Sequence, residues 1–509
     1  MIRPLPLRTM LLAATLAFSA ASTAADYQLP ELGEPADRSL PLFEERELGA
    51  EVFRQIQRYE LLLPDHELEA YIQGLGQKLV DASPEARGKP FRFFILRDPS
   101  INAFALPGGY IGVHTGLIRA AQTEAELAAV LAHEIAHVTQ RHIARQMDQS
   151  KGWDIATAAL LLAAIAAGGG DPDVVQAALG VGLSMAYQKS VNYTRAHELE
   201  ADRLGIQTLA AAGFEPQGME AFFRRLAAQS RLYGEGLPEL LRTHPYSTTR
   251  MAEARGRVGG LPAGKAQMTS LFGLMRVRAE LVEYELAQDK VARFPEIHSE
   301  DALEAAYGRA MALRARGQAK EAIQAARSAL QSAKAPEQKL VVEMELARAL
   351  RLNGDGAEAT RLLQKLHAAF PLQHATTLAL ADTLLQQGDA AGVRQMLLES
   401  EAFGADVPEV FHLLARAASL MDDPAEVQYQ MASWQRARGD WAAAIRQLQR
   451  ALRDREWDEY EKARLEGRLA GLKASAPESA RDELRRERRQ EARSVSEAAS
   501  SPMPALGNR

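Results

Sequence analysis

The chain has 509 residues, 60 Lys+Arg against 66 Asp+Glu, a formal net charge of −6, and 47% apolar residues. That balance is ordinary for folded domains, and the interspersed signs exclude the electrostatic footprint of a nucleic-acid binder. Cysteine is absent from the sequence, which excludes a disulfide framework, a thiolate metal site, a Cys nucleophile and a lipid-anchored Cys together.

In chain order, residues 1–25 read as a secretory signal peptide. Arg3 and Arg8 precede an apolar core over 10–21, and Ser22-Thr23-Ala24-Ala25 offers small residues for cleavage. The core falls short of the roughly 20 apolar residues of a membrane span. The expected compartment is the periplasm, an oxidising one in which a chain without thiols is at ease. Residues 26–41 form a polar, Pro-rich lead. Helical apolar spacing follows over 42–58 and 67–80.

Residues 91–96 read as a strand, and 103–106 pairs with 110–113 across Pro107-Gly108-Gly109. These make a small sheet. An edge strand of that sheet, with Asn102, Gly108 and Gly109, is expected to pair with an extended substrate backbone. The two glycines also suit a plain tight turn.

The run 123–147 reads as a helix and holds His133-Glu134-Ile135-Ala136-His137. Residues i and i+4 share a helix face, so both imidazoles can reach one metal ion. Zn²⁺ takes neutral imidazole nitrogens and keeps an open position for water in catalytic sites. Glu134, beside the metal, can take a proton from that water. On a straight helix His142 lies off the metal face, so it reads as structural or solvated, as does His114. Residues 155–167 are apolar or small and end in a glycine run at 168–170, and a second soft segment covers 174–187. This pair reads as buried helices or as a lid over the site; contact with a membrane surface is a third reading.

A zinc site needs one more protein ligand. Glu198 and Asp202, i and i+4 on a helix over 192–212, share a face. They read either as a third ligand with a helper that orients a ligating imidazole or as a solvated acidic face. Glu200 points elsewhere on that helix. A helix over 218–231 precedes Thr243-His244-Pro245 and Arg250.

His133, Glu134 and His137 with Glu198-x-x-Ala201-Asp202 resemble the gluzincin peptidases of the family that includes HtpX and the periplasmic, BepA-like proteases. The stretches 102–111 and 115–118 before the zinc helix, and Thr243-His244-Pro245 with Arg250 after it, add to that resemblance. It implies one Zn²⁺ per chain, Glu198 as third ligand and Asp202 as its helper. It makes His244 a candidate fourth ligand or gate, and Arg250 a candidate for holding the oxyanion or stabilising the site. The activity implied is that of a metalloendopeptidase acting on unfolded or stalled outer-membrane proteins, with chaperone-like assistance to their assembly. The rival reading is a chaperone or scaffold whose peptidase site is self-inhibited.

Gly259-Gly260-Leu261-Pro262 marks a boundary, after which Gly-containing turns recur at 317, 354, 388 and 439. The spacing approximates multiples of half a tetratricopeptide repeat of about 34 residues, with a turn at Met421-Asp422-Asp423 in place of one glycine. The expected fold is mainly α: a zincin-like α+β metallopeptidase domain with a small sheet over 26–262, then an α-solenoid of tetratricopeptide-type repeats over 263–475. The repeats are expected to dock to the outer-membrane assembly machinery. Residues 476–509 read as a polar, disordered tail, within which the charged stretch 481–493 also reads as a solvated helix.

Overall fold

The computed structural model describes residues 40–149, 194–233, 238–245, 247–259, 270–286, 299–400, 404 and 407–500. The signal-peptide reading of 1–25 and the lid or membrane reading of 155–187 lie outside these residues.

Two helices open the described chain, α1 (Leu42–Arg58) and α2 (His66–Ala82). Asp65 caps α2 by accepting from the Glu67 and Leu68 amides, which satisfies two of the donors a helix N-terminus leaves over. Three strands follow: β1 (Arg92–Leu96), β2 (Ala103–Leu106) and β3 (Tyr110–His114), in the order β1-β3-β2. β3 pairs parallel with β1 and antiparallel with β2, so β2 forms an edge of the sheet. Side chains alternate between the two faces. Phe93, Ile95, Ala103, Ile111 and Val113 join the main core beneath α2. Phe94, Leu96, Phe104 and Leu106 pack instead with Leu48, Val52, Phe53 and Ile56 of α1.

The expected hairpin is present, but Gly108 and Gly109 do not lie on its open edge. They occupy a 3₁₀ turn at φ 75° and 94°. A Cβ on Gly108 would meet Arg46 Cα at 2.9 Å, and one on Gly109 would meet the Pro90 carbonyl at 2.2 Å. Both are therefore turn residues pressed against backbone, as the tight-turn reading expects. Asn102 sits just before β2, with its carbonyl accepting from the His114 amide at 3.0 Å.

After α3 (Thr115–Ala120) comes α4 (Glu124–Thr139), the helix of the HExxH motif. Thr123 caps it, its hydroxyl accepting from the Glu126 amide. The expected single helix to 147 is in fact two. α4 ends at Thr139, Arg141 takes φ 52°, and α5 (His142–Gln149) starts in a new direction. A non-glycine residue in that conformation costs about 1–2 kcal/mol. Here the Arg141 guanidinium is anchored, donating to Glu45 Oε2 at 2.8 Å and to the Leu40 carbonyl at 2.6 Å.

The first part of the chain continues with α6 (Arg195–Ala211), α7 (Gly218–Tyr233), α8 (Glu239–Thr243) and α9 (Thr248–Val258). Beyond it, α10 (Ser270–Leu286) leads into helical hairpins: Ala302–Ala315 with Ala319–Ser332, Pro336–Asn353 with Gly356–Ala369, His374–Gln386 with Ala390–Leu398, Pro408–Leu420 with Pro424–Ala437, and Trp441–Asp454 with Glu459–Ser475. Gly317, Gly354, Gly388 and Gly439 turn the chain at φ 75–89°. Asp422, at φ 57°, turns the chain between Pro408–Leu420 and Pro424–Ala437, where no glycine stands.

The first part of the chain and the first helical hairpins share one hydrophobic core. Phe272, Leu274, Met275, Tyr307 and Val342 cluster with Leu75, Leu117 and Leu127. Arg278 is buried at this seam, with Nε 2.8 Å from Asp65 Oδ2 and Nη1 2.6 Å from Glu67 Oε2. The far repeats return to α1: Gln57 Nε2 donates to the Ala437 carbonyl at 3.0 Å, and Arg58 forks onto Glu483 at 2.8 Å. Glu483 belongs to a helix over Glu478–Ser500. This helix takes in the stretch 481–493 that also reads as a solvated helix, and it is held to the fold: Leu484 joins an apolar cluster with Leu448 and Leu465, and Arg446 reaches Glu487 at 2.7 Å. Among the described residues, no helix is long and apolar enough to cross a membrane.

Candidate metal centre

α4 and α6 pack against each other, and their spacing decides where the site forms. Gly205 of α6 faces His133; a Cβ there would lie 3.2 Å from His133 N and 3.1 Å from Met219 Cε. That close approach brings Glu198, one turn into α6, up to the motif histidines. Gly205→Val is expected to part the helices and to lower stability by about 1–3 kcal/mol, read by denaturant unfolding, with weaker zinc retention. Unchanged stability and zinc binding would show that the spacing has slack.

His133, His137, Glu198 and His244 are all buried and offer ligand atoms within 4.8 Å of one another. The Nε2 atoms of His133 and His137 are 3.0 Å apart. Glu198 Oε1 lies 3.5 Å from His137 Nε2 and 2.9 Å from His244 Nδ1. The charge pattern suits a cation. Burial works against a charged His133, yet hydrogen bonds to the Asp202 and Glu198 carboxylates hold its pKa up at about 10; a bound dication would meet the same negative field. His137 is kept neutral by burial and by the charge on His133, the form in which imidazole ligates. Burial alone would raise Glu198, but the neighbouring His244 and His133 hold it well below the usual carboxylate range.

Glu134 is completely buried, and burial pushes its carboxyl above the ordinary range. Neither oxygen makes a close hydrogen bond among the described residues. Its neighbours are the Ala105 backbone on β2 and His244 Nε2, 3.5 Å from Oε1. A carboxylate so placed can take and return a proton.

Asp202 Oδ1 lies 3.1 Å from His133 Nδ1, the side of the ring away from Glu198. Arg250 grips Asp202 through two bonds, Nε to Oδ2 at 2.6 Å and Nη2 to Oδ1 at 2.7 Å. Its Nη1 is 2.7 Å from Glu198 Oε2 and donates to the Pro245 carbonyl at 3.0 Å. The guanidinium is thus spent on two carboxylates and the loop of His244. These contacts brace the site.

Residues that looked peripheral in the sequence are drawn in. His142 is fully buried, with Nδ1 2.8 Å from His137 Nδ1 and Nε2 3.1 Å from Glu200 Oε2. Five residues round a straight helix is about 140°, which hides this contact from a sequence reading. The break at Arg141 folds His142 back. Burial lowers its pKa to about 4 in spite of the Glu200 carboxylate, so the ring is neutral at pH 7. His114 is structural: its Nδ1 is 2.7 Å from Ser100 Oγ and 3.6 Å from Asp98 Oδ1.

Residues 66–258 match the model of Peptidase family M48. The beta-barrel assembly-enhancing protease of Escherichia coli (strain K12) is 38% identical over 255 residues, 49% of this chain and 51% of that protein. The protein of the same name in Yersinia pestis is 39% identical over 252 residues, 49% of this chain and 51% of its own. The mitochondrial metalloendopeptidase OMA1 of Arabidopsis thaliana is 29% identical over 169 residues, 33% of this chain and 32% of that one. The chain spans about half the length of the curated beta-barrel assembly-enhancing proteases it matches. The metal of this family is zinc, and the donor set of two imidazoles, a carboxylate and a third imidazole fits it.

Proposed function

We propose that this chain, whose residues 66–258 form a zinc metallopeptidase domain of family M48, acts as a periplasmic endopeptidase on unfolded or stalled outer-membrane β-barrel proteins. The observation that carries the reading is the convergence of His133, His137, Glu198 and His244 beside a buried Glu134 that makes no close hydrogen bond among the described residues. The names of the relatives in Escherichia coli and Yersinia pestis support the substrate class.

His133, His137 and Glu198 would hold the ion. Zn²⁺ supplies Lewis acidity and lowers the pKa of water to about 7 in such sites. Glu134 accepts the proton of the attacking water and hands it to the leaving amide nitrogen. Asp202 fixes the ring of His133, and Arg250 fixes Asp202. β2, as the sheet edge nearest Glu134, offers backbone for an extended substrate to lie along. The repeats are the surface for the outer-membrane assembly machinery.

The test is cleavage of a purified outer-membrane β-barrel protein, presented unfolded in urea-diluted form or folded in detergent. The unfolded form is expected to be cut and the folded form spared, with zinc near one per chain that falls sharply in Glu198→Ala. Equal cutting of both forms, or neither cut by the zinc-loaded protein, would overturn the substrate reading. Unchanged zinc in Glu198→Ala would move the third ligand elsewhere.

One observation favours a second reading, that of a scaffold with a self-inhibited site: His244 lies within the ligand cluster. Restoring the cellular role with a Glu134→Gln chain would support it.

A further inference from the structure

α4 and α5 meet at the Arg141 turn, and the meeting places a second imidazole directly behind the first. The metal-facing nitrogen of His137 is Nε2, which looks towards His133 Nε2 and Glu198. Its other nitrogen must then carry the proton, and the atom 2.8 Å from it is Nδ1 of His142. An N–H can be donated only to a lone pair, so Nδ1 of His142 accepts. The His142 proton then sits on Nε2 and is donated to Glu200 Oε2 at 3.1 Å. Every proton has one place in this chain: His137 Nδ1–H to His142 Nδ1, and His142 Nε2–H to the Glu200 carboxylate.

Other groups facing His142 support that order. Arg145 Nη1 lies 3.1 Å from the same Glu200 oxygen, which keeps the carboxylate ionised and accepting. His197 stacks on His142 with ring centroids 4.3 Å apart and planes 13° from parallel, which fixes the ring's rotation. The two motif histidines are therefore supported differently. His133 meets a carboxylate directly, Asp202 at 3.1 Å. His137 reaches its carboxylate through an intervening imidazole.

We propose that His142 is a positioning residue for zinc binding, a hydrogen-bonding relay that orients His137 and links it to Glu200. This rests on the zinc reading of the site. Partners that accept from a ligating imidazole fix its tautomer and ring angle, and their loss typically weakens metal binding about 10–100-fold.

Two substitutions separate acceptance from packing. In His142→Asn the amide oxygen takes the place of Nδ1 and can accept from His137. In His142→Phe the ring volume remains and no acceptor does. Zinc affinity is measured on the full-length mature protein by competition with a chromophoric chelator, alongside thermal unfolding of the zinc-free forms. His142→Phe is expected to bind zinc about 10–100-fold more weakly than wild type, with His142→Asn recovering most of that loss. Equal affinity in His142→Phe and wild type, or an equal loss in Phe and Asn, would overturn the proposal. Glu200 is partly exposed, at 36% of its side chain, so Glu200→Gln should fold even if the Phe variant does not. It is expected to weaken binding several-fold, and unchanged affinity there would sink the relay. A wild-type protein that binds no zinc would overturn the metal reading itself, a separate outcome.

Discussion

Glu134→Gln is expected to remove peptide hydrolysis while leaving zinc near one per chain. The substitution keeps the volume of a side chain with no exposed surface and touches none of the three proposed ligands. What it removes is the lone pair that accepts the proton. General-base groups contribute about 10²–10⁴ in rate, so turnover of an unfolded barrel protein should fall by that factor, with binding of the same client retained. The measurement is cleavage of a labelled unfolded substrate, with zinc content and melting temperature determined on the same preparation. A variant with full zinc and wild-type turnover would show that proton transfer runs through another group. His244 is the nearest alternative, with Nε2 3.5 Å from Glu134 Oε1.

The metal half of the site was legible because helix periodicity is a local rule. His133 and His137 share a face by spacing alone, as do Glu198 and Asp202, and only the meeting of α4 with α6 had to be supplied by the fold. That meeting depends on Gly205, whose lack of a side chain reads in sequence as a weak point in a helix rather than as a contact with His133. His142 reads as structural or solvated and is buried, but its contact with His137 was hidden for the complementary reason. Periodicity holds only while a helix is straight, and the left-handed Arg141 depends on anchors at Glu45 and Leu40 about a hundred positions away in sequence. By resemblance Arg250 is a candidate for holding the oxyanion or for stabilising the site, and its contacts to Asp202, Glu198 and the Pro245 carbonyl favour the second. The repeat turns were legible from glycine, and even the exception at Asp422 fell where spacing placed it. The helix over Glu478–Ser500 was legible only in part, as a solvated helix over 481–493, since its composition shows nothing of what it docks on. Its order comes from long-range partners such as Arg58 and Arg446.

His244→Ala is expected to keep zinc and to cleave faster than wild type. His244 follows α8 directly, and its ring enters the ligand cluster, 2.9 Å from Glu198 Oε1 and 3.3 Å from His133 Nε2. A site with three protein ligands needs its remaining position for water, and an imidazole seated there excludes the water from which Glu134 must take a proton. The loop is latched, because Arg250 Nη1 donates to the Pro245 carbonyl and also contacts Glu198. Opening therefore means parting His244 from a brace that the metal-binding carboxylate shares, and a client that lengthens those contacts would admit water and substrate together. If the open form makes up about a tenth of the molecules, deleting the ring raises turnover about tenfold. The opposite role is also chemically sound: an imidazole beside the reacting carbonyl can stabilise developing negative charge, and losing such a donor costs about 10²–10³ in turnover. The two roles differ in sign, so one comparison decides between them. Wild type and His244→Ala are loaded with zinc, matched in melting temperature, and assayed on the same unfolded barrel protein and for self-cleavage. Faster cleavage by the variant assigns His244 as a gate; slower cleavage at equal zinc and stability makes it part of the catalytic apparatus.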